Sequence, residues 1–423
     1  MLDIRILRED PDLVKERIKT RGGDAYQLVD EVLACDETRR EAETEKQKLQ
    51  GDRKRISKEI GKLKGKGEDT SAVEAEVREI GDKIKEIGDR SAAAEERQRD
   101  LLLQIPNLPH EDCPVGEDET ANPVVREWGE KPGFDFEPKD HLTLCTECGM
   151  LDFETATKIS TGGFALFRGD GARLERALIQ FLLDLQTREH GYTEFSPPFI
   201  INRDCMIGTG QLPKFEDDMY GLEEGNFFLA PTAEVPVTNI WRDMILKADE
   251  LPIKATAYTP CFRREAGAAG RENRGLIRMH QFDKVELVKI VHPDNSFDEL
   301  ETLTNDAEKV LQLLGLHYRL IELCTGDVSA SSAKTYDIEV WAPGQDAYLE
   351  VSSCSNFGDY QARRMNLRFK DENGKNKTAH TLNGSGTALP RLFVALVETY
   401  QQADGTIKLP EPLHRYFGAE QIG

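Results

Sequence analysis

Arginines and glutamates crowd the stretch Pro260 to Val288, PCFRREAGAAGRENRGLIRMHQFDKVELV, around a flat aromatic ring. Guanidinium forks suit phosphates and carboxylates, Phe282 offers a face for a base, and a carboxylate can hold an amine. Together these groups suit a site for ATP and an amino acid. Three other segments could complete it. Thr232-Ala233-Glu234 sets a hydroxyl and a carboxylate beside a proline-stiffened turn. In Glu350-Val351-Ser352-Ser353 an acid and a hydroxyl alternate on a strand and could share a hard cation such as Mg²⁺. Asn383-Gly-Ser385-Gly-Thr-Ala-Leu-Pro-Arg391 reads as a small-residue turn that delivers an arginine to the first turn of a helix, where the dipole also favours phosphate. Singly, each has a plainer explanation as a cap, a strand pair, an exposed edge or a helix start. Their joint presence points to one site.

Several elements must position these groups. The Pro260 to Val288 stretch reads as a β-hairpin, with Arg263 and Glu265 on one face of its first limb and Phe282, Lys284 and Glu286 on one face of its second. Further strands are expected in YTEFSPPFIIN, interrupted by Pro197-Pro198, and in FFLAPT, KTYDIEVWA and AYLEVSSCS. Long helices are expected from Gly171 to Gly191, from Pro293 to Gly315 and after Pro390. Strands and helices without regular βαβ alternation favour an α+β fold, an antiparallel sheet flanked by helices. Neither a Walker loop nor a GxGxxG fingerprint is present.

The N-terminal third is different. Residues 1–26 read as one short amphipathic helix, with Leu7, Leu13 and Ile18 apolar and Gly22-Gly23 ending it. Positions 28, 32, 35, 39, 42, 46, 49, 53, 56, 60 and 63 then step by four and three up to Gly65-Lys66-Gly67. A second register runs through 73, 77, 80, 84, 87, 91, 94, 98 and 101. Two such limbs make an antiparallel coiled-coil hairpin over about 27–102, each limb about 57 Å long. Prolines after Ile105 close it, giving domains 1–108 and 109–423. From Arg39 to Lys66 eleven Lys/Arg face five Asp/Glu, whereas Glu68 to Asp100 has six against eleven. Arg39, Lys46 and Arg53 fall on the seam, which leaves cations along the first limb for a polyanion, unless the two limbs pair with each other.

A formal charge of −22 argues against general adhesion to DNA or membranes, so any RNA contact must be regional. The apolar runs are too short to span a bilayer, and a cytoplasmic protein is expected. Eight scattered cysteines do not make a disulfide framework. Cys145 and Cys148, with His141 four residues ahead, have zinc or redox spacing, but also read as two residues on a helix face.

With these motifs the chain resembles the bacterial-type seryl-tRNA synthetases of class II. GYTEFSPP at 191–198 looks like the first class motif, which in the family forms much of a dimer interface. FRRE with MHQFDKVE looks like the second motif and GTALPR at 386–391 the third. TAE at 232–234 and LEVSSCSNFGDYQARRMNLRF at 349–369 match the serine enzymes within the class. Cysteines at 145 and 148 depart from the family pattern but touch no motif.

The resemblance implies a serine–tRNA ligase that uses ATP and Mg²⁺, acts as a homodimer, and charges tRNA(Ser), with tRNA(Sec) where present. Thr232, Ala233, Glu234, Arg263, Glu286, Asn383 and Ser385 would bind L-serine. Arg263, Arg264, Glu265, Phe282, Glu350, Val351, Ser352, Ser353 and Arg391 would bind ATP, with Mg²⁺ on Glu350 and Ser353 and catalysis on Arg263, Arg391 and Glu350. The arm would clasp the tRNA through Arg39, Lys46, Arg53, Lys54 and Arg55, and the AGAAGRENRG loop would guide its end. Two other readings compete: a ligase charging a carrier protein, against which the basic arm argues, and a regulatory protein with a dead site, against which the intact Arg263, Glu286, Glu350 and Arg391 argue.

Overall fold

The computed structural model describes residues 1–266 and 275–423; most of the AGAAGRENRG loop lies outside them. It divides into two compact units, Leu2–Lys19 with Gly23–Pro106, and Met1 and Thr20–Gly22 with Asn107–Gly423.

In the smaller unit the first 26 residues form two helices, α1 (Ile4–Glu9) and α2 (Pro11–Lys19), rather than one. Pro11 has no N–H to continue α1 and a fixed φ suited to starting α2. After the break Leu13 is 49% exposed, and Val14 is buried, as are Leu7 and Ile18. Two long helices follow, α3 (Leu28–Lys66) and α4 (Ser71–Gln104), antiparallel across a turn at Gly67, whose left-handed φ of 77° ends α3.

Every α4 position in the predicted register is buried or half-buried. In α3 the seam departs from expectation at three places, the first being Val29, which is buried where Leu28 is only half-buried. Asp36, not Cys35, is the buried residue of the third turn, because Arg8 of α1 grips it with two hydrogen bonds of 2.6 Å and Gln98 of α4 adds a third at 3.3 Å. These donors hold its carboxyl down at about 2 against the opposing effect of burial. Arg53 is exposed, its long side chain turned out of the seam into water.

In the larger unit the strands are β1 (Val124–Trp128), β2 (Thr193–Glu194), β3 (Ile253–Phe262), β4 (Gln281–Val291), β5 (Tyr318–Glu322), β6 (Lys334–Ala342), β7 (Ala347–Asn356) and β8 (His380–Ala388). They form one sheet in the order β1-β5-β6-β7-β8-β4-β3-β2, antiparallel except where β2 meets β3. The predicted strand YTEFSPPFIIN is divided: Thr193–Glu194 joins this sheet, and Ile200–Asn202 pairs with Phe227–Leu229 in another.

Alternation in β4 decides what each face does. Val285, Leu287 and Val291 point into the main core beneath α5 (Asp170–Arg188), α6 (Ser296–Leu313) and α7 (Leu389–Thr399). Phe282, Lys284, Glu286, Val288 and Ile290 occupy the other face, where Val288 and Ile290 join a second core and the first two line a cavity. The segment expected to be a turn, 383–388, is part of strand β8. Its small residues serve packing: a Cβ on Gly384 would sit 2.4 Å from Leu303 Cδ2 of α6 and 2.9 Å from Cys354 Sγ of β7.

Candidate active site

The cavity on this face holds about 680 Å³. Thr232, Glu234, Arg263, Glu265, Phe282, Glu350, Val351, Ser353, Asn383, Ser385 and Arg391 all line it, so four segments distant in sequence converge there. Four expected members are not on its wall. Ala233 is fully buried in the second core, Arg264 turns into solvent while its N–H donates to the Asp218 carbonyl, and Ser352 faces the other side of β7, donating to the Ser385 carbonyl at 2.6 Å. Glu286 lies just behind the lining.

Strand period alone would set Glu350 and Ser353, three residues apart, on opposite faces. A bulge resolves this. Ser352 pairs with Ile338 and Glu350 with Glu339, which leaves Val351 without a cross-strand partner and turns both oxygen donors to the cavity. The neighbouring strand repeats the device: Ser385 pairs with Glu286 and Thr387 with Val285, so Gly386 is the extra residue, and Ala388 faces the cavity with Ser385. The first hairpin limb also departs from expectation. Strand β3 ends at Phe262, and Glu265 takes a left-handed φ of 51°, so Arg263 and Glu265 reach the cavity from irregular backbone rather than by strand alternation.

At one end of the cavity Glu286 accepts from Thr232 Oγ1 at 3.1 Å and Asn383 Nδ2 at 3.0 Å, and is ion-paired to buried Lys284. These three donors offset the cost of a buried carboxylate. Glu234 beside it is less well held, with Gln361 Nε2 donating at 2.7 Å. Burial first, and then the charge of Glu286, pushes its carboxyl up to about 7. Because the folded value lies above the ordinary 4.5, this group stabilises the fold most at low pH and loses that contribution as pH rises toward about 7. Glu234→Gln should therefore gain stability relative to the parent between about pH 4.5 and 7, by at most roughly 3 kcal/mol, and no further above that range. Thermal unfolding of both proteins from pH 4.5 to 8 checks this, and a difference that does not vary with pH refutes it.

The other end is cationic. Arg263 lies over the Phe282 ring at 5.3 Å and its Nε donates to the Pro231 carbonyl at 3.3 Å. Arg391 donates through Nη1 to the Glu350 carbonyl at 2.7 Å and through Nε to the Ile277 carbonyl at 3.2 Å. Arg278 is paired with Glu265. Lys284, Arg278 and Gln361 join the site without a role expected from the sequence. Strand alternation marks Lys284; Arg278 is one of the arginines of the 260–288 stretch and Gln361 lies within the 349–369 motif, but nothing local names the partner of either.

Glu350 and Ser353 suit a hard cation. Both present oxygen on one face, and buried Asp337 Oδ1, opposite Ser353 across the strands, has no hydrogen-bond partner among the described residues. Burial, and next the charge of Glu350, hold the Asp337 carboxyl well above its usual range. Among the described residues no three His, Cys, Asp or Glu side chains group as a metal site. Two protein ligands are enough for Mg²⁺, which completes its shell with phosphate and water. Cys145 belongs to the core, where burial pushes its thiol up to about 12, and Cys148 caps the short helix His141–Glu147. A thiol so placed is a poor ligand or nucleophile at neutral pH.

The tRNA synthetase class II core domain (G, H, P, S and T) matches residues 214–400, and the seryl-tRNA synthetase N-terminal domain matches residues 1–109. The serine–tRNA ligase of Akkermansia muciniphila is 66% identical over 423 residues, covering 100% of this chain and 99% of its own. That of Carboxydothermus hydrogenoformans is 52% identical with the same coverage. Among solved structures, seryl-tRNA synthetase from Pyrococcus horikoshii complexed with ATP matches with a TM-score of 0.95 and 36% identity over 100% of this chain and 99% of that one. A cytoplasmic serine–tRNA ligase from Naegleria fowleri in complex with AMP matches at 0.89 and 28%, over 100% and 98%. A two-helix arm, an antiparallel sheet with a polar cavity, and full-length identity of this degree agree, and the chain belongs to the seryl-tRNA synthetase family of class II aminoacyl-tRNA synthetases.

Proposed function

We propose that this chain activates L-serine with ATP, giving seryl-adenylate and pyrophosphate, and transfers the seryl group to the terminal ribose of tRNA(Ser), and of tRNA(Sec) where present. The observation that carries this reading is the polarity of the cavity. Carboxylates and hydroxyls gather around Glu286 and Glu234, while cations and an aromatic face gather around Arg263, Phe282 and Arg391. From Phe282 to Glu286 along β4 is about 14 Å, room for an amino acid and a nucleotide side by side.

The attacking group is the serine carboxylate, ionised at neutral pH, so no general base is required. No histidine is among the described residues lining the cavity. Catalysis then rests on aligning that carboxylate with the α-phosphate and neutralising the charge that develops there. Arg263 serves both reactants, Arg391 takes the γ-phosphate, and Phe282 stacks on the adenine. Mg²⁺ on Glu350 and Ser353 would supply further neutralisation of phosphate charge.

Serine is selected by a small polar pocket of Thr232, Glu286 and Ser385. Alanine leaves those groups unpaired, which costs about 10⁴-fold in kcat/KM. Threonine must be excluded by the wall. ATP–pyrophosphate exchange with the common amino acids tests this: serine should lead, and a preference for threonine or proline overturns the assignment.

The arm binds the tRNA by shape and phosphate contacts. Arg39, Lys46 and Arg55 are each bonded to an acid three residues earlier, whereas Arg53, Lys54 and Lys58 have no carboxylate partner among the described residues and share a concave patch with Gln50 and Ser57. Of the ion pairs between the limbs, Arg90 with Glu45 and Arg97 with Glu31 use first-limb acids and Lys64 with Glu74 a first-limb cation, and Lys48, Arg53, Lys54, Lys58, Lys62 and Lys66 have no ion pair among the described residues. Strand β2 lies at the sheet edge, and Phe199 and Ile200, which follow the 191–198 motif in sequence, are exposed, which suits a homodimer formed through that motif. No helix among the described residues is long and apolar enough to cross a membrane, and we place the enzyme in the cytoplasm, with its tRNA.

A further inference from the structure

We infer that His141 is a positioning residue of the ATP subsite: it holds the start of the hairpin's return limb at the height where that limb receives Arg391. The inference rests on the adenylation reading above. His141 opens the helix His141–Glu147, far in sequence from every motif, and its side chain is buried with that of Glu398. Its Nδ1 lies 3.0 Å from Glu398 Oε1, and the Leu276 N–H donates to its Nε2 at 3.3 Å. A carboxylate only accepts and an amide N–H only donates. Both bonds therefore require the neutral Nδ1–H tautomer, with the Nε2 lone pair free for Leu276.

Glu398 is itself fixed. The His141 N–H and Gln345 Nε2 donate to Oε1, each at 2.8 Å, and the Gly344 N–H donates to Oε2 at 2.9 Å. Gln345 Nε2 also lies 3.3 Å from His141 Nδ1, but that nitrogen's proton is committed to the carboxylate. The main chain comes close to the ring because residue 275 is glycine: its φ is +62°, and a Cβ there would meet His141 Nε2 at 2.3 Å.

Glu398 and Arg391 lie two turns apart on α7. Leu276 and Ile277 are consecutive, and each is tied to that helix. Ile277 is bonded directly, its carbonyl accepting from Arg391 Nε at 3.2 Å; Leu276 is held through the imidazole by Glu398. This double attachment locks the return limb in register with α7 and so sets where the Arg391 guanidinium stands in the cavity. Losing the imidazole frees one attachment and leaves the Glu398 carboxylate still accepting three hydrogen bonds, so the fold should survive while the phosphate clamp loosens.

Serine-dependent ATP–pyrophosphate exchange by the full chain tests this, together with ¹⁵N spectra of its imidazoles. His141→Phe should raise the KM for ATP about tenfold, the scale of one buried hydrogen bond lost, and leave the KM for serine within about twofold. His141→Gln, whose amide can donate to Glu398 and accept from Leu276, should stay within about threefold of the parent for ATP. In the parent protein the His141 resonances should report the Nδ1–H tautomer, a readout that holds even if His141→Phe fails to fold. An unchanged KM for ATP in folded His141→Phe, or an Nε2–H tautomer, overturns the inference. A parent protein without serine-dependent exchange overturns the adenylation reading instead and leaves the tautomer result standing.

Discussion

Arg263→Ala lowers serine-dependent adenylate formation by at least about a hundredfold, the scale of one transition-state donor removed from a preorganised site. The structure makes this arginine the most exposed to such a test. Its backbone N–H is bonded to the His280 carbonyl at 2.9 Å, its Nε to the Pro231 carbonyl, and its guanidinium rests over Phe282, so its place is set before ligand arrives. No carboxylate lies within ion-pair distance among the described residues, whereas Arg278 is paired with Glu265 and Arg391 has Glu350 at 3.4 Å. No ion pair therefore ties up the Arg263 charge ahead of the reacting groups. Nucleotide affinity should fall much less, because Phe282 and Arg391 remain. Arg263→Lys should recover only part of the loss, since an ammonium keeps the charge but not the planar fork. Near-normal exchange in the alanine variant would remove Arg263 from the mechanism.

Removal of the arm separates the two half-reactions. A chain lacking it should keep adenylate formation within about twofold and lose tRNA charging by at least about a thousandfold, the affinity that several phosphate-binding cations supply together. The structure places the cut. Excision from Asp36 would destroy the node that Arg8, Arg39 and Gln98 make with its buried carboxylate, and with it the seating of α1. Glu43 and Ser91 face each other across the limbs in a 3.0 Å hydrogen bond. Deleting 44–90 and joining these two residues with a short glycine linker leaves that node intact. Both reactions are measured on the same preparation, and efficient aminoacylation by the truncated chain would refute the proposed role of the arm.

Much of this architecture was legible because its signals are local. The α4 seam follows from a four-and-three step through mainly apolar residues, with Ser91 and Gln98 the polar members, and the two functions of β4 follow from a period of two. Pro11 is also a local signal, and it divides the single helix expected over 1–26 into two. What escaped has another origin. Asp36 is buried because Arg8, 28 residues away, neutralises it, and no pattern around residue 36 announces that partner. The segment 383–388 has turn composition and strand structure, because α6 and β7 leave no room for side chains at Gly384. Gln361 and His141 act through Glu234 and Glu398, to which only the folded chain connects them.

By itself the sequence determined which groups could meet: a coiled-coil arm with one basic limb, an α+β body, and arginines, carboxylates and hydroxyls suited to serine and ATP. These follow from residue type and short-range period, which need no knowledge of distant partners. Only the tertiary structure decided how they face one another. Glu350 and Ser353 share the cavity because a bulge at Val351 reverses the strand's parity, and Ser385 and Ala388 do so because of another at Gly386. A bulge is a property of the register between two strands, and that register is chosen by the packing of the whole sheet against its helices.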